Sequence, residues 1–161
     1  MALELSPPEP LSALHAVDGF SCGEPVLDEW LKRRALANQA SGASRTFVVV
    51  SGDGRVVGYY ALAVGAVAHA DATGAVRRNM LDPIPILVLG RLAVDQSARG
   101  IKLGVSLLKD AVMRATAVAE NAGVRALLVH ALHERARDFY LKYGFAPSPT
   151  DALTVMLRLR Q

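Results

Sequence analysis

Residues 88–112 read VLGRLAVDQSARGIKLGVSLLKDAV and are the most informative segment of the chain about its fold. It begins in an apolar run that predicts a strand, and Gly90 inside the run indicates a bulge or a close backbone approach. The glycine-containing turn at 96–104 then opens into a helical pattern. Such a junction aims backbone N–H groups and the positive end of a helix dipole at one point, which suits a pyrophosphate. Taken alone, the pattern favours an ordinary turn between a strand and a helix, with glycines placed for geometry.

Upstream of the junction, the sequence predicts a helix, a hairpin and a loop. Pro25 suits the first helical turn and Gly42 the end of the helix. The apolar residues between them recur at near-helical spacing: Val26, Leu27, Trp30, Leu31 and Leu36. Residues 45–67 read as two strands around a Ser-Gly-Asp-Gly turn, and the polar, breaker-rich residues 69–83 predict a loop.

Downstream of the junction, helical and apolar segments alternate. The pattern predicts a helix that ends near Gly123, a buried strand over 124–132, a short helix that ends at Gly144 and a final alternating strand over 151–160. This order predicts a mixed α/β fold. The 161 residues fit one domain. We expect a flexible N-terminal arm over residues 1–10, which hold three prolines, and one domain over residues 11–161.

Composition excludes several classes of protein. With 52% hydrophobic and 20% charged residues, the chain is globular rather than disordered. Cys22 is the only cysteine, which rules out an internal disulfide or a cysteine-rich zinc site and suits a reducing cytoplasm. No secretory signal and no membrane-spanning stretch is visible, so we expect a cytoplasmic protein. The net charge of +3 and the pI near 9.3 lean towards an acidic partner such as nucleic acid.

Tyr140 is the candidate catalytic residue of the second half. It lies in the segment R-x-x-x-F-Y-x-x-x-G-F, where a phenol could donate a proton to a departing thiolate. The alternative is a core aromatic residue that packs beside Phe139. His130 and His133 lack further ligands at metal-binding spacing, so we expect no metal. We interpret His130 as a strand residue with a hydrogen-bonded ring, His133 as a helix cap or surface group, and Cys22 as a packing residue.

These segments carry a resemblance to a known family. Residues 88–112 resemble motif A of the GCN5-related N-acetyltransferase (GNAT) superfamily, and ALLVHALHERARDFYLKYGF (126–145) resembles motif B. With the upstream segments FSCGEPVLDEWL (20–31) and ASGASRTFVVV (40–50), the chain is similar over roughly residues 12–160 to the TacT-type GNAT toxins of bacterial toxin–antitoxin pairs. The resemblance implies the GNAT fold, an α/β fold whose central, mostly antiparallel sheet is splayed at the acetyl-CoA site and flanked by helices.

The resemblance also implies a co-substrate and its site. Acetyl-CoA would be bound by residues of the strand, the turn and the later helix: Leu92, Ala93, Val94, Arg99, Gly100, Ile101, Lys102, Leu103, Gly104 and Phe139. Tyr140 would be the general acid. The chain departs from motif A at Lys102, where the motif has a glycine. A side chain there would crowd the pyrophosphate, or its ammonium would neutralise phosphate charge if it turned outward.

The acceptor amine can be narrowed by its pKa. The motifs offer no carboxylate placed as a base, since Asp95 ends a strand and Glu134 starts a helix. This favours an α-amine, with a pKa of about 7.7–8.0, over a lysine ε-amine near about 10.4. TacT-type toxins acetylate the α-amino group of aminoacyl-tRNA and so inhibit translation. That substrate implies a cationic track, with the candidates Lys32, Arg33, Arg34, Arg45, Arg77, Arg78 and Arg91.

Partners and alternatives follow from the same resemblance. It implies aminoacyl-tRNA, a ribbon-helix-helix antitoxin and a second copy in a homodimer as partners, with operator DNA reached only through the antitoxin and no membrane. Two other functions stay open. One is a GNAT acting on a small-molecule or protein amine, and the other is a catalytically weak GNAT-fold binding protein that works with an antitoxin as a repressor.

Overall fold

The protein is described by a computed structural model that covers residues 4–160. Seven strands form one open sheet in the order β1-β2-β3-β4-β5-β7-β6. The strands are β1 (Glu9–Pro10), β2 (Arg45–Val50), β3 (Val56–Val67), β4 (Ile84–Val94), β5 (Ala126–His130), β6 (Ala146–Pro147) and β7 (Thr154–Arg158). The helices are α1 (Pro25–Arg33), α2 (Ala35–Ser41), α3 (Gly74–Arg77), α4 (Leu103–Asn121) and α5 (Glu134–Lys142). The β4–β5 pair is parallel, whereas β1–β2, β2–β3, β5–β7 and β6–β7 are antiparallel.

Contacts divide the chain into two compact units. The first unit contains the chain up to Ala63 and Arg91–Ala111, and the second contains Val64–Gly90 and the chain from Val112 onward. Strands β3 and β4 and helix α4 each contribute residues to both units. The assignment of residues 11–161 to one domain stays a prediction.

In the first unit, the predicted single helix over 25–42 is two short helices. Arg34, with φ −120° and ψ −32°, leaves helical geometry and separates α1 from α2. Helix α1 buries Leu27 and Leu31, and α2 buries Ala35. Val26 and Leu36, expected on the apolar face, are 64% and 46% exposed. Gly42 ends α2 at φ 81°, as predicted.

The predicted hairpin over 45–67 is confirmed, and the N-terminal segment lies beside it. Strands β2 and β3 pair from Arg45–Leu62 to Val50–Val56. Among the residues of the predicted arm that the structure describes, the Ser6 amide donates to the Val50 carbonyl at 2.9 Å, and β1 pairs with β2. The flexibility of residues 1–10 stays a prediction.

The core of the first unit is built around Tyr59. Its ring packs edge-to-face on Phe20 and stacks on Trp30, and its hydroxyl donates to the Leu27 carbonyl at 2.7 Å. This buried phenol is therefore satisfied, which its burial requires. Helix α1 is thereby tied to the sheet through both an aromatic contact and a hydrogen bond.

In the second unit, the core is formed by residues of the strands β3, β4, β5 and β7 and of the segment over 69–83. Its buried members are Val67, Ala72, Val76, Ile84, Ile86, Ala126, Leu128 and Met156. The predicted loop contains a short 3-10 turn at His69–Asp71 and the one-turn helix α3. The Arg125 guanidinium fastens this segment by donating to the carbonyls of Ala75, Val76 and Arg78 at 3.0–3.2 Å. Within residues 4–160, no helix has the length and apolar character to span a bilayer.

Candidate active site

The turn after β4, in the first unit, has the geometry of an anion site. A 3-10 turn at Gln96–Ala98 follows the strand, and α4 then begins at Leu103. The Ser106 amide donates to the Lys102 carbonyl at 3.2 Å, so the amides of the first helical turn precede the bonded ladder and have no partner inside the helix. Gly100 and Lys102 both take left-handed backbone, at φ 83° and 60°. Exposed amides at the positive end of a 19-residue helix fit a pyrophosphate.

Lys102 therefore occupies a position that glycine would adopt without strain. A non-glycine residue in the left-handed region costs roughly 1–2 kcal/mol. The side chain is exposed, so its ammonium lies in solvent and carries its charge next to the turn.

The turn is held in place by the carboxylate of Asp95, which is 4% exposed. It accepts hydrogen bonds from the amides of Ser21 and Ser97 at 2.8 and 2.9 Å. It also forms an ion pair with Arg55 at 3.3 Å. Burial raises the pKa of Asp95, but the hydrogen bonds from Ser97, Ser21 and Arg55 outweigh it and leave the pKa below its usual value. Asp95 is thus an ionised structural group, in agreement with the prediction that it is not a base.

The Arg99 side chain makes a hydrogen bond within the protein. Its guanidinium donates to the Cys22 carbonyl, and a Cβ on Gly23 would lie 2.9 Å from the same nitrogen. Cys22 lies in the core cluster of this unit, and burial together with a hydrogen bond to Asp28 raises its thiol pKa to about 11. The packing role predicted for Cys22 is confirmed, and the Arg99 side chain ties the turn to the segment before α1.

The end of β4 supplies backbone next to the turn. Ala93 is buried in the core of the first unit, whereas Leu92 and Val94 are half-buried. Directly after the strand, the Asp95 amide donates to the Val57 carbonyl at 2.8 Å. Gly90 is exposed, and a Cβ placed on it would meet no atom of the described residues within 4 Å. The described residues of this chain therefore do not make the close backbone approach to Gly90 that the sequence suggested.

In the second unit, β4 and β5 part before either strand ends. Their parallel register runs through Leu87–Leu127 and Val88–Leu128 and goes no further among residues 4–160. Strand β5 nevertheless continues to pair with β7 as far as His130–Thr154. The splay predicted from the family resemblance is present, and beyond Val88 it leaves strand edges on which an extended amide-containing arm could pair.

Tyr140 lies on α5, also in the second unit. Its ring packs edge-to-face on Phe139 and Phe145, and the residue is 6% exposed. Burial raises the pKa of the phenol, so the group is protonated at neutral pH. Among residues 4–160, nothing hydrogen-bonds to its hydroxyl. The packing role and the acid role are thus compatible, since the ring packs while the phenolic proton stays available.

A cavity of about 370 Å³ in the second unit was not predicted from the sequence. Its apolar wall comes from Gly65, Ala66, Val67, Ala68, Ile86, Val88 and Leu128, and its polar wall from Asp71, His130, Ser148, Thr150, Asp151 and Thr154. His130 was predicted to have a hydrogen-bonded ring, and this is confirmed: its Nδ1 lies 2.9 Å from Thr154 Oγ1. His133 caps α5, where its Nδ1 accepts from the Ala136 amide at 3.1 Å. No cluster of metal ligands occurs in the described residues.

The predicted cationic residues fall in both units. In the first, Arg33 pairs with Glu29 at 2.5 Å and Arg45 donates to the Gln39 carbonyl at 2.8 Å, while Lys32 and Arg34 are exposed. In the second, Arg77 and Arg78 end α3 and are exposed.

Arg91, the remaining candidate of the cationic track, lies over the Trp30 ring at 4.4 Å. Burial lowers the pKa of its guanidinium. Its Nε is buried and has no hydrogen-bond partner among residues 4–160. The stacking explains how the arginine is accommodated in an apolar strand, at a gain of roughly 0.5–2 kcal/mol.

A basic cavity in the second unit was also missed. It has a volume of about 400 Å³ and is lined by Val124, Arg125, Arg158, Leu159 and Arg160. Burial, and then the charges of Arg158 and Arg78, lower the pKa of Arg125, which shows that like charges gather here. The alternation Arg158-Leu159-Arg160 at the end of β7, with Leu159 buried, was the available signal.

Amides presented ahead of a helix, strands that part and a buried phenol are the features that a CoA-dependent acyl transfer needs. The family profile described as "Acetyltransferase (GNAT) domain" matches residues 43–147, more than half of the chain, and the chain therefore belongs to this family of acetyltransferases. The predicted GNAT fold is confirmed.

Among curated relatives, the tRNA-acetylating toxin of Mycobacterium tuberculosis is 54% identical over 155 residues, covering 96% of this chain and 93% of the relative. Among solved structures, AtaT complexed with acetyl-methionyl-tRNAfMet superposes with a TM-score of 0.88 at 25% identity and covers 96% of this chain and 95% of AtaT. An AtaT mutant toxin bound to the C-terminus of the antitoxin AtaR and acetyl-CoA gives a TM-score of 0.80 at 26% identity, covering 96% and 93%.

Proposed function

We propose that this chain is an acetyl-CoA-dependent N-acetyltransferase toxin that acetylates the α-amino group of aminoacyl-tRNA and so inhibits translation. The observation that carries the proposal is the 54% identity, over nearly the whole chain, to a tRNA-acetylating toxin. A second support is the likeness to AtaT complexed with acetyl-methionyl-tRNAfMet, since N-acetylated methionine is the product that such a reaction gives.

The turn after β4 would bind the pyrophosphate of acetyl-CoA. Residues 99–104 supply backbone amides at the start of α4, and the exposed Lys102 ammonium adds a positive charge. The backbone of Leu92, Ala93 and Val94 would pair with the pantetheine amides, and Phe139 would pack against the thiol end. These roles rest on the family resemblance and on the left-handed, amide-presenting geometry of the turn.

Tyr140 would serve as the general acid. As the amine nitrogen bonds to the acetyl carbon, the carbon–sulfur bond breaks and the sulfur leaves with the electron pair. The phenol protonates that thiolate, and the proton lost from the new amide nitrogen restores the phenol through solvent. The family resemblance supports this role, and within residues 4–160 no group hydrogen-bonds to the hydroxyl, so its proton is available.

Exposed cations would hold the phosphodiester backbone of the tRNA. Lys32, Arg34, Arg77 and Arg78 are free of ion pairs within residues 4–160, and the basic cavity adds Arg158 and Arg160. Arg33 and Arg45 are engaged with Glu29 and Gln39, and we expect them to contribute less. Phosphate contacts of this kind give affinity that falls as salt rises.

A small antitoxin is the proposed protein partner. AtaT binds the C-terminus of AtaR, and we infer that this chain binds an antitoxin of the ribbon-helix-helix class, through which it reaches operator DNA. We further propose a homodimer that works in the cytoplasm, where aminoacyl-tRNA is used.

The test is transfer of labelled acetyl from acetyl-CoA to purified aminoacyl-tRNA. We expect the label on the α-amine of the aminoacyl end, released as an N-acetyl amino acid when the ester is hydrolysed. Label on free amino acids, polyamines or protein lysines with none on aminoacyl-tRNA would show an acetyltransferase with another acceptor. Binding of acetyl-CoA without transfer to any of these would contradict the enzymatic function.

A further inference from the structure

The cavity of about 370 Å³ in the second unit brings one titratable ring and two carboxylates together. His130 is the last residue of β5 and is exposed. Asp71 belongs to the 3-10 turn that follows β3, and Asp151 to the loop that precedes β7. The Thr150 hydroxyl donates to Asp71 at 2.6 Å, and the Leu153 amide donates to Asp151 at 3.0 Å. The carboxylates are thus held by neighbouring donors, whereas the imidazole has one ring nitrogen bound and one to spare.

Hydrogen bonding fixes which nitrogen is spare. The Thr154 hydroxyl, on a side chain that is buried, donates its single proton to Asp151 Oδ2 at 2.9 Å. Its oxygen lies 2.9 Å from His130 Nδ1, and having given its proton away it can only accept there. Neutral His130 therefore carries its proton on Nδ1, which leaves the lone pair of Nε2 open as a base.

Asp151 is suited to hold this arrangement but not to replace the base. Hydrogen bonds from the Leu153 amide and the Thr154 hydroxyl, with a smaller contribution from the charge of His130, lower the pKa of Asp151. An ionised carboxylate has no proton to give to Thr154, so the hydroxyl must point towards it. A carboxylate of low pKa is also a poor acceptor for the proton of an ammonium group.

We propose that His130 is the general base of the reaction, taking a proton from the α-ammonium of the acceptor bound in this cavity, and that Thr154 and Asp151 position its ring. The inference rests on the proposed function, for which the motifs alone offered no base. One proton passes from the ammonium to Nε2 and is later released to water. The neutral amine then keeps its lone pair for the acetyl carbon. The apolar wall of the cavity, from Gly65 to Ala68 with Ile86, Val88 and Leu128, faces the acceptor's non-reacting part.

His130→Asn tests the proposal, because the asparagine amide can take the place of Nδ1 and still donate to Thr154, yet provides no base. We expect the single-turnover rate of acetyl transfer to aminoacyl-tRNA at pH 7 to fall by about 10²-fold, the lower end of the usual range for general acid–base catalysis. The loss should shrink as the pH rises towards the pKa of the α-amine, near about 8, since the amine then loses its proton unaided. Calorimetric affinity for acetyl-CoA should be unchanged.

Thr154 provides the matched pair of variants for positioning. Thr154→Ser keeps the hydroxyl and should keep the wild-type rate and pH profile, whereas Thr154→Val removes it and should lower the rate at pH 7. His15→Asn, in the first unit, controls for the loss of a histidine, since His15 pairs with Glu9 at 3.0 Å and does not line the cavity. Its profile should match that of the wild type.

Two outcomes would overturn the role of His130: transfer by His130→Asn at the wild-type rate, or a loss of equal size at every pH. If the wild-type protein itself gave no transfer to aminoacyl-tRNA, the proposed function would fail instead. In that case, transfer to another amine with the pH profile described here would still support His130 as the base.

Discussion

At the scale of single residues, Lys102 shows how one side chain alters a site without removing it. It takes a left-handed backbone at φ 60°, which is the conformation that a glycine at the same place of the family motif adopts freely. The turn is therefore preserved at a cost in strain, and the chain gains an exposed ammonium beside the expected pyrophosphate. Strain and charge can be separated by two substitutions.

Lys102→Ala should remove the charge and keep the strain, whereas Lys102→Gly should remove both. We expect Lys102→Ala to weaken acetyl-CoA binding by up to about fivefold, the upper range for a solvent-exposed ion pair. The free energy of unfolding of Lys102→Gly should equal that of Lys102→Ala or exceed it by about 1 kcal/mol. The gain is small because the relief of strain is partly offset by glycine's greater freedom in the unfolded chain. Calorimetry and urea unfolding measure the two effects. Tighter acetyl-CoA binding by Lys102→Ala would mean that the side chain crowds the site.

The Tyr140 phenol can be removed without disturbing its ring. Since no group of residues 4–160 hydrogen-bonds to the hydroxyl and the ring packs on Phe139 and Phe145, Tyr140→Phe should change the free energy of unfolding by less than about 0.5 kcal/mol. Turnover should fall by about 10²-fold or more, with acetyl-CoA affinity unchanged. Steady-state kinetics and thermal unfolding check this. Unchanged turnover would exclude the acid role, and a large loss of stability would show that the hydroxyl has a structural partner.

At the scale of secondary-structure elements, the site depends on how its flanking segments are tied together. Asp95 joins three of them, since it accepts from Ser21 before α1, from Arg55 at the hairpin and from Ser97 in the 3-10 turn. No single element would hold the turn at 99–104, because most of its residues are exposed to solvent. The anion site is thus a property of the junction and not of α4 alone.

Asp95→Asn should destabilise the first unit in a pH-dependent way. Because the folded state lowers the pKa of Asp95, its contribution is present above the unfolded pKa of about 3.9 and is lost as the pH falls through the lower folded value. Near neutral pH the asparagine variant should lose about 2 kcal/mol, since its amide cannot accept from all the donors. Below about pH 4 the difference from the wild type should narrow. Urea unfolding at several pH values measures this; a constant difference at every pH would show that ionisation of Asp95 does not contribute.

At the scale of the whole molecule, a mild excess of charge becomes informative through its distribution. The net charge is only +3, yet Arg125, Arg158 and Arg160 line one cavity, and the charge of Arg78 also acts on Arg125. Arg125 is occupied by backbone carbonyls and has a structural task. The remaining guanidinium groups have no acidic partner within residues 4–160, and this is what a surface for a polyanion requires.

Arg158→Glu/Arg160→Glu should weaken tRNA binding and make it less sensitive to salt. For each phosphate that is no longer neutralised, the negative slope of log K against log salt should become shallower by about 0.7–0.9. Binding of acetyl-CoA should not change. A control of equal charge is Lys109→Glu/Lys142→Glu, on exposed positions of α4 and α5. Filter binding across a salt series measures both variants. Equal weakening by the two would mean that tRNA senses only net charge, and equal loss of acetyl-CoA binding would indicate misfolding.

The order of elements and the chemistry at their junction could be predicted from the amino-acid sequence. The strand and turn at 88–104, the hairpin and helices α4 and α5 were all predicted, because hydrophobic periodicity and glycine placement are local properties. Cys22 in the core, the His130 ring in a hydrogen bond and Tyr140 on its helix followed from the same reasoning. The division of the helix over 25–42 at Arg34 was missed, because Leu27, Leu31 and Ala35 keep helical spacing across Arg34 and give no local signal of a break.

Contacts between residues that are distant in the chain could not be predicted and are seen only in the folded protein. Asp95 with Ser21 and Arg55, Arg91 over Trp30, and His130 with Thr154 and Asp151 are pairs separated by 21 to 74 positions in the chain. No local pattern encodes such contacts, because they arise from strand register and from how the loops at the strand ends return over the sheet. The sequence therefore indicated an acetyl-CoA site and a donor phenol, while the packed chain supplied the cavity in which we propose a base for the amine.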